Sequence, residues 1–203
     1  GDSNVAIGWE ALKTEDAHGN NVAIGASALA TQNAGADGYN VGIGYNAGTA
    51  VTTGTHNTLI GGLAGDAITT ANNCIAIGTN ALGGNVLADR SIAIGNNALL
   101  THNVGSSADT YNVAIGHQSQ EKTTTGTLNT SVGGYALYAN TTASNNTAIG
   151  YSALIANTTG AGNTAIGKSA LESNTTGADN IAIGRDSMTA ATTADQTISI
   201  GHI

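Results

Sequence analysis

The sequence contains no proline and no phenylalanine, and aromatic residues make up only 3% of its 203 positions. Chains of this length ordinarily fill much of their core with aromatic side chains, so a thick conventional core is excluded. The lack of proline suits strands that are hydrogen-bonded on both sides, because proline would remove a donor. The core must therefore be built in thin layers from alanine, valine, leucine and isoleucine.

Charge is also scarce, since charged residues form 9% of the chain and only five of them are lysine or arginine. The net charge of −8 argues against a nucleic-acid partner and against an anionic membrane surface, because both require clustered cations. No apolar run approaches the length of a membrane span, so we expect no membrane insertion. A single cysteine, Cys74, excludes an intramolecular disulfide framework.

What the sequence has in abundance is one repeated segment, of which NVAIG is an example. Its final glycine recurs twelve times, and nine of the eleven intervals between these glycines are 17 residues long. A fixed period of this kind predicts a solenoid, and it runs through residues 1–203 as a single domain. We number each repeat from its glycine, as position 0, and call the residues at one position of successive repeats a column. Column 0 consists of Gly8, Gly25, Gly44, Gly61, Gly78, Gly95, Gly116, Gly133, Gly150, Gly167, Gly184 and Gly201.

Each position of the repeat has a physical interpretation. Column −1 is isoleucine in eleven repeats, column −3 is always β-branched, and this alternation predicts a short strand. Asparagine fills column −4 in nine repeats and suggests a ladder of amides bonded to one another along the rod. The pattern is clearest in four repeats, with asparagine, isoleucine and glycine at Asn4, Ile7 and Gly8, Asn21, Ile24 and Gly25, Asn163, Ile166 and Gly167, and Asn180, Ile183 and Gly184.

A second apolar element, usually Ala-Leu, follows at positions +3 and +4, and a polar run often containing Thr-Thr-Gly closes the repeat. Seventeen residues have a contour of about 56 Å, which predicts two short strands and two turns per coil. The expected fold is all-β, a parallel β-roll or solenoid of about twelve 17-residue coils, with Ile7, Ile24 and Ile43 directly above one another. Such thin coils should pack against copies of themselves, and we expect a homotrimer.

NVAIG, NTAIG and NIAIG followed by Ala-Leu resemble the YadA-like head repeats of trimeric autotransporter adhesins. The longer form NTTGxxNTAIGxxAL, best matched at 157–171 and 174–188, is similar to repeats in phage and virus tail-fibre proteins. The resemblance covers the whole chain and implies a left-handed parallel β-roll, three chains per rod and an extracellular attachment fibre. YadA-type heads use a shorter repeat, so their details do not transfer position by position.

Two breaks in the period are the first candidates for a receptor site, because solenoids often bind where the repeat is interrupted. Residues 35–40 (GADGYN) and 105–112 (GSSADTYN) are longer than standard, and we expect two protruding loops carrying Asp37, Tyr39, Asp109 and Tyr111. Harmless expansion of a solvent-exposed turn is the alternative interpretation.

Column +1 is the most variable, and its neighbouring Lys168 and Arg185 indicate an exposed column. Its aromatic members Trp9, Tyr45 and Tyr151 are candidates for contact with a glycan or protein receptor. Scattered surface aromatics without a ligand remain the alternative.

The sequence offers little for catalysis. The carboxylates fall at many different positions without the recurring pair that glycosidases need, and the histidines are equally dispersed. We therefore expect a non-enzymatic protein with no cofactor and no metal. A left-handed hexapeptide helix, which carries enzymes, requires an aliphatic residue every six positions, and the aliphatic columns here do not fit that spacing.

The expected function is attachment to a cell surface or receptor as part of a fibre. A passive shaft without any ligand and an ice-binding solenoid, suggested by the recurring Thr-Thr pairs, are the alternatives. Both ends of the sequence fall within a repeat and lack a polar cap, so we expect a segment of a longer fibrous protein with flanking fibre domains. The expected location is extracellular, on a bacterial surface or a virion tail fibre.

Overall fold

The computed structural model describes residues 2–15 and 18–202. Each repeat contributes one three-residue strand just before its column 0 glycine. Two further strands of two residues each occur, one in the longer repeat that contains residues 105–112 and one in the repeat before it. The strands are β1 (Val5–Ile7), β2 (Val22–Ile24), β3 (Val41–Ile43), β4 (Thr58–Ile60), β5 (Ile75–Ile77), β6 (Ala88–Asp89), β7 (Ile92–Ile94), β8 (Ala108–Asp109), β9 (Val113–Ile115), β10 (Thr130–Val132), β11 (Thr147–Ile149), β12 (Thr164–Ile166), β13 (Ile181–Ile183) and β14 (Ile198–Ile200).

Twelve of these strands form one parallel sheet in chain order, from which only β6 and β8 are missing. The register joins equivalent positions, so that Ile7 pairs with Ile24 and Ile24 pairs with Ile43. The register also continues across the longer repeats, where Ile94 pairs with Ile115. The prediction that residues one period apart lie above one another is confirmed, and the chain is a parallel β-solenoid.

The prediction of two strands per coil is wrong, because the Ala-Leu element is a turn. Its residues alternate between right-handed and left-handed backbone conformations. The leucines at position +4 have φ between 48° and 54°, as in Leu29 and Leu154, and position +2 is also left-handed. This alternation points successive amides in opposite directions along the rod. Ser152 N donates to Gly134 O of the preceding coil, and Leu154 N donates to Ala170 O of the following coil. The turn thus joins neighbouring coils without extended backbone.

The inside of the solenoid is lined by the small and polar residues of the strand, and the β-branched residues face outward. The central strand residue is fully buried in nearly every coil, as in Ala76 and Ala165, whereas Ile77 and Ile166 remain partly exposed. Alanine fits inside because the coil closes in few residues and its two walls lie close together. The predicted core of alanine, valine, leucine and isoleucine is therefore only partly found in the single chain. Its core is mainly alanine, leucine and asparagine with Val51 and Ile68, while the valines and isoleucines of the strands lie outside it.

Inside each coil the strand packs against the Ala-Leu turn, and the sizes of the facing side chains are complementary from coil to coil. Leu59 replaces the usual alanine at position −2, and the facing +4 positions are Gly48 and Gly65 instead of leucine. A Cβ at either glycine would lie within 2.7 Å of a Leu59 methyl carbon. Total core volume is conserved where individual side chains exchange size, as in close-packed interiors generally.

The asparagine column joins the coils, although mainly by bonds to the backbone and less by the predicted amide-to-amide ladder. Asn163 Oδ1 accepts a hydrogen bond from the backbone N of Asn180, and Asn163 Nδ2 donates to Gly177 O. Amide-to-amide bonds occur as well, with Asn180 Nδ2 donating to Asn163 Oδ1 at 3.0 Å. A buried amide suits this place because it supplies both a donor and an acceptor to backbone groups that water cannot reach.

Glycine is required in column 0 by both conformation and space. Gly150 has φ of 135°, and a Cβ added there would lie 2.5 Å from the carbonyl oxygen of Gly167 in the next coil. No side chain fits between coils at this corner, which explains why all twelve repeats keep glycine.

Candidate functional site

The insertion at residues 35–40 is bound to the preceding coil through Asp37 and Gly38, while residues 35–37 are exposed as predicted. Asp37 Oδ1 accepts a hydrogen bond from Gly19 N at 3.0 Å, and Gly38 N donates to Gly19 O at 3.1 Å. The Tyr39 ring stacks on His56 of the next coil, with ring centroids 5.1 Å apart and an angle of 22° between the planes. Asp37 therefore has a structural partner, while Tyr39 stays exposed.

The insertion at residues 105–112 is also held against the rod. Its strand β8 pairs in parallel with β6, which brings Asp89 beside Asp109. Asp109 forms a salt bridge with Arg90 and accepts a hydrogen bond from the Tyr111 hydroxyl at 3.1 Å. The loop is therefore not free, because residues 108 and 109 extend the ladder between coils, while residues 105–107 at its tip are exposed.

Tyr39 and Tyr111 occupy column −5 and are separated by His56, Asn73 and Arg90 of the intervening coils. All five side chains are exposed. The Arg90 guanidinium carbon lies 6.0 Å from the centroid of the Tyr111 ring. The two tyrosines lie about 19 Å apart along the rod, as four coil spacings require.

Column +1 is exposed as the sequence predicts, with Trp9, Tyr45 and Tyr151 at 70%, 62% and 54% of their full accessible surface. Only Tyr151 belongs to a larger group of rings. Within residues 2–15 and 18–202, Trp9 and Tyr45 pair with no other aromatic ring.

Tyr151 lies in an aromatic cluster that also contains His117, Tyr135 and Tyr138. Tyr135 is its centre, with ring centroids 5.3 Å from His117, 6.0 Å from Tyr138 and 5.9 Å from Tyr151, all edge-to-face. Such edge-to-face pairs are favourable and hold the rings in fixed orientations.

Reasoning from the sequence missed Tyr135 and Tyr138 because it considered only column +1 and the insertions. The sequence did contain a signal, which is the concentration of tyrosines: three of the six fall in residues 135–151.

Two charged side chains border the aromatic cluster. Lys122 Nζ lies 5.7 Å from the Tyr138 ring centroid and 3.3 Å from Glu121 Oε1. The hydrogen bond to Glu121 raises the pKa of the Lys122 ammonium group. Only 7% of the Glu121 side chain is accessible, and its second oxygen, Oε2, accepts no hydrogen bond from the described residues.

Two titratable groups in the interior have packing roles. Burial raises the pKa of the Cys74 thiol to about 11, which makes it a poor nucleophile. Burial lowers the pKa of His102 to about 4, and the neutral ring accepts a hydrogen bond at Nε2 from Asn112 Nδ2 at 3.1 Å. Gln32 accepts the equivalent bond from Asn40 in the other long repeat.

In the described part of the chain, no three histidine, cysteine, aspartate or glutamate residues lie close enough together to hold a metal ion. Across the same residues the surface has no enclosed pocket. Residues 2–15 and 18–202 also include no helix that is both long enough and apolar enough to cross a membrane. The exposed features of the rod are therefore side-chain columns and the aromatic cluster.

The fold defines a repeat protein of the parallel β-solenoid class, with large aromatic side chains exposed on its outer columns. Comparison with protein-family models, with curated proteins and with solved structures finds no match to this chain.

Proposed function

We propose that this chain is a segment of a homotrimeric, extracellular attachment fibre, built as a left-handed β-roll and without catalytic activity. The observation that carries the proposal is the outward face of the main sheet. The β-branched side chains at positions −3 and −1 line this face in every coil, and several inner ones remain more than one third exposed, including Val132, Ile149 and Ile166.

The column −1 residues of this face form an apolar stripe along the rod, about 53 Å at about 4.8 Å per coil, while column −3 is threonine in four coils, Thr58, Thr130, Thr147 and Thr164. Soluble proteins rarely leave a continuous apolar stripe of that size in water. Two further copies of the same chain are the occupants we propose, because every copy carries the same stripe with the same period. Packing around a threefold axis would cover all three stripes at once, and three chains are also what the resemblance to YadA-like heads implies.

Attachment is supported by the side chains that are exposed outside columns −3 and −1. The rod displays large aromatic side chains in water, which are the residue types enriched where proteins bind partners. The receptor in this proposal is a glycan or a protein on a cell surface, and flanking fibre domains would continue the rod. A bacterial surface and a virion tail fibre are the two settings in which such a rod would act.

The alternative function, a passive shaft, would have the same fold and the same trimer but would bind no ligand. Ice binding has less support, because the threonines at position +8 use their hydroxyls internally. Thr158 Oγ1 donates to Thr175 O at 2.9 Å, and Thr175 Oγ1 donates to Thr192 O at 3.0 Å. These bonds join neighbouring coils, so the hydroxyls serve the ladder of the solenoid.

Binding of the labelled full chain to a panel of bacterial and animal cells tests attachment against the shaft. We expect saturable binding to at least one cell type, with competition by unlabelled protein. Absence of binding across the panel would favour the shaft, and thermal hysteresis in a freezing assay would favour ice binding.

A further inference from the structure

We propose that six exposed side chains of column −5 form a docking surface for a protein partner whose own contact surface is positively charged. We call these six the −5 row, and they are Tyr39, His56, Asn73, Arg90, Tyr111 and Leu128. This inference rests on the proposed attachment function. It states where on the rod the receptor binds and what kind of molecule the receptor is.

The backbone of column −5 has a conformation that is unfavourable for most side chains. All twelve residues of the column have a positive φ, between 48° and 71°. Glycine, asparagine, aspartate and histidine tolerate this left-handed conformation, whereas other side chains adopt it at a cost in free energy. Four of the six residues outside the −5 row are of the tolerant types, namely Asn20, Asn145, Gly162 and Asp179.

Four members of the −5 row are bulky residues that do not suit this conformation, namely Tyr39, Arg90, Tyr111 and Leu128. The leucines at position +4 have the same backbone conformation, but nearly all of their side chains are buried, so packing in the core offsets the strain. The bulky side chains of the −5 row are about half exposed and gain much less from burial. Strained residues that the fold does not require are typical of binding sites.

The shape of the −5 row suits a large partner. Its six coils span about 24 Å along the rod. The part of the surface that the structure describes has no enclosed pocket, so the row is not a cleft for a small molecule. Protein partners bind open surfaces, and tyrosine and arginine are among the side chains that contribute most to such binding.

Contacts along the rod hold the side chains of the −5 row in place before any partner binds. At one end the Tyr39 ring stacks on His56, with ring centroids 5.1 Å apart. Further along, the Arg90 guanidinium carbon lies 6.0 Å from the Tyr111 ring centroid, and the Tyr111 hydroxyl donates to Asp109. Side chains that are already ordered lose less conformational entropy on binding.

The positive charge of the proposed partner follows from carboxylates beside the −5 row. Asp37, Asp89 and Asp109 lie one or two residues before column −5, and all three are exposed or half-buried. The row itself contains one arginine and no lysine, and this Arg90 pairs with Asp109. The docking surface therefore carries more negative than positive charge, which favours a partner of the opposite sign.

Replacement by asparagine is the sharpest test, because column −5 already holds asparagine in three coils. We expect Tyr39→Asn combined with Tyr111→Asn to weaken binding about tenfold or more to the cell type that binds the unaltered chain best. The urea midpoint of this double variant should be equal to or higher than that of the unaltered chain, because strain is relieved. Gln196→Asn is the control, since Gln196 is exposed in the same column outside the row, and its binding should be unchanged.

The chemistry of the partner is tested on the same cells. In Asp37→Asn the amide oxygen can keep the hydrogen bond from Gly19 N while the charge is lost. We expect about threefold weaker binding that depends less on salt, and no change for the control Asp179→Asn. Trypsin treatment of the cells should abolish binding, whereas periodate oxidation of their glycans should not.

Unchanged binding by the folded double variant would overturn the docking surface and leave the attachment function standing. A lower urea midpoint, or loss of a trimer that the unaltered chain forms, would also overturn it, because the tyrosines would then serve the fold or the contact between copies. Binding that survives trypsin would overturn a protein as the partner. If the unaltered chain binds no cell type, both the inference and the attachment function fail.

Discussion

At the scale of the single residue, the fold depends on positions where only one side chain is possible. Column 0 needs glycine for its positive φ and for the close approach of the next coil, as at Gly150. Gly134, one residue after Gly133 of that column, is under neither constraint. Two glycines of one sequence can therefore differ completely in how they respond to the same substitution.

We expect Gly150→Ala to lower the free energy of unfolding by about 2 kcal/mol or more, because the methyl group strains the backbone and collides with Gly167 O. Gly134→Ala should change it by less than about 0.5 kcal/mol. Urea denaturation followed by circular dichroism measures both. Equal stability of the two variants would show that column 0 does not form the tight corner described above.

Buried His102 gives a second prediction at this scale. Its pKa is lowered to about 4 in the folded chain, against about 6.5 in an unfolded one, so folding favours the neutral ring. The stability that this provides is complete above about pH 6.5 and is lost as the pH falls towards 4. Between about pH 7 and about pH 4 the loss from this group should be on the order of 3 kcal/mol.

The matched variant is His102→Gln, because Gln32 already accepts the equivalent hydrogen bond from Asn40. Denaturation at both pH values should show a smaller loss of stability in this variant than in the unaltered chain. An identical pH dependence would mean that His102 is not buried as a neutral acceptor.

At the scale of the element, the positions of the strands along the chain could be predicted from the sequence. The direction in which their side chains face and the conformation of the turn could not. The period and the β-branched columns located all twelve main strands, because pairing between equivalent positions follows from repetition itself. The direction in which the strand faces was not predictable, since alanine on one side and isoleucine on the other are both apolar. The left-handed leucines were also hidden, because β-carbon sterics make this conformation rare for leucine and no residue type signals it.

The coil that contains Gln120 interrupts the apolar core, and we expect apolar replacements there to stabilise the folded chain. Gln120 stands where its neighbours have Leu99 and Leu137, and it bonds Ser131 through Nε2 while its buried Oε1 has no partner among the described residues. Gln120→Leu combined with Ser131→Ala would join the two apolar clusters that this coil separates.

We expect this double variant to gain about 1–2 kcal/mol, because it removes an unsatisfied buried oxygen and gives positions +4 and −2 the side chains of the other coils, while Ser119 keeps its bond to Ala136 O. Urea midpoints measure the gain. A less stable double variant would indicate that the polar coil has a packing requirement that leucine and alanine do not meet.

The candidate site shows the same division between what repetition specifies and what it does not. Exposure of Tyr45 and Tyr151 followed from the variable column +1. The grouping of Tyr151 with Tyr135 and Tyr138 did not, because it requires knowing that positions +1, +2 and +5 share one corner of the coil. The insertions were located correctly, but their contacts with the preceding coil were not predicted. Residues 35–40 bond to Gly19, and residues 105–112 pair through β8 with β6, and no repeat position encodes either contact.

At the scale of the whole molecule, the proposed trimer follows from the outward face of the main sheet. A single solenoid leaves Ile149 39% exposed in the middle of a continuous apolar stripe. Association of three copies would remove these side chains from water, and this is the arrangement that we propose. The same association would leave the aromatic corner available to a receptor.

Sedimentation equilibrium of the full chain, alone and with Ile149→Lys, tests this claim most directly. Thr159→Lys is the control, because it adds the same charge to an exposed turn of the neighbouring part of the rod. We predict three chain masses for the unaltered protein and for Thr159→Lys, and dissociation for Ile149→Lys, because a buried lysine without a partner is strongly unfavourable. A monomeric unaltered chain, or a trimer that survives Ile149→Lys, would contradict the account.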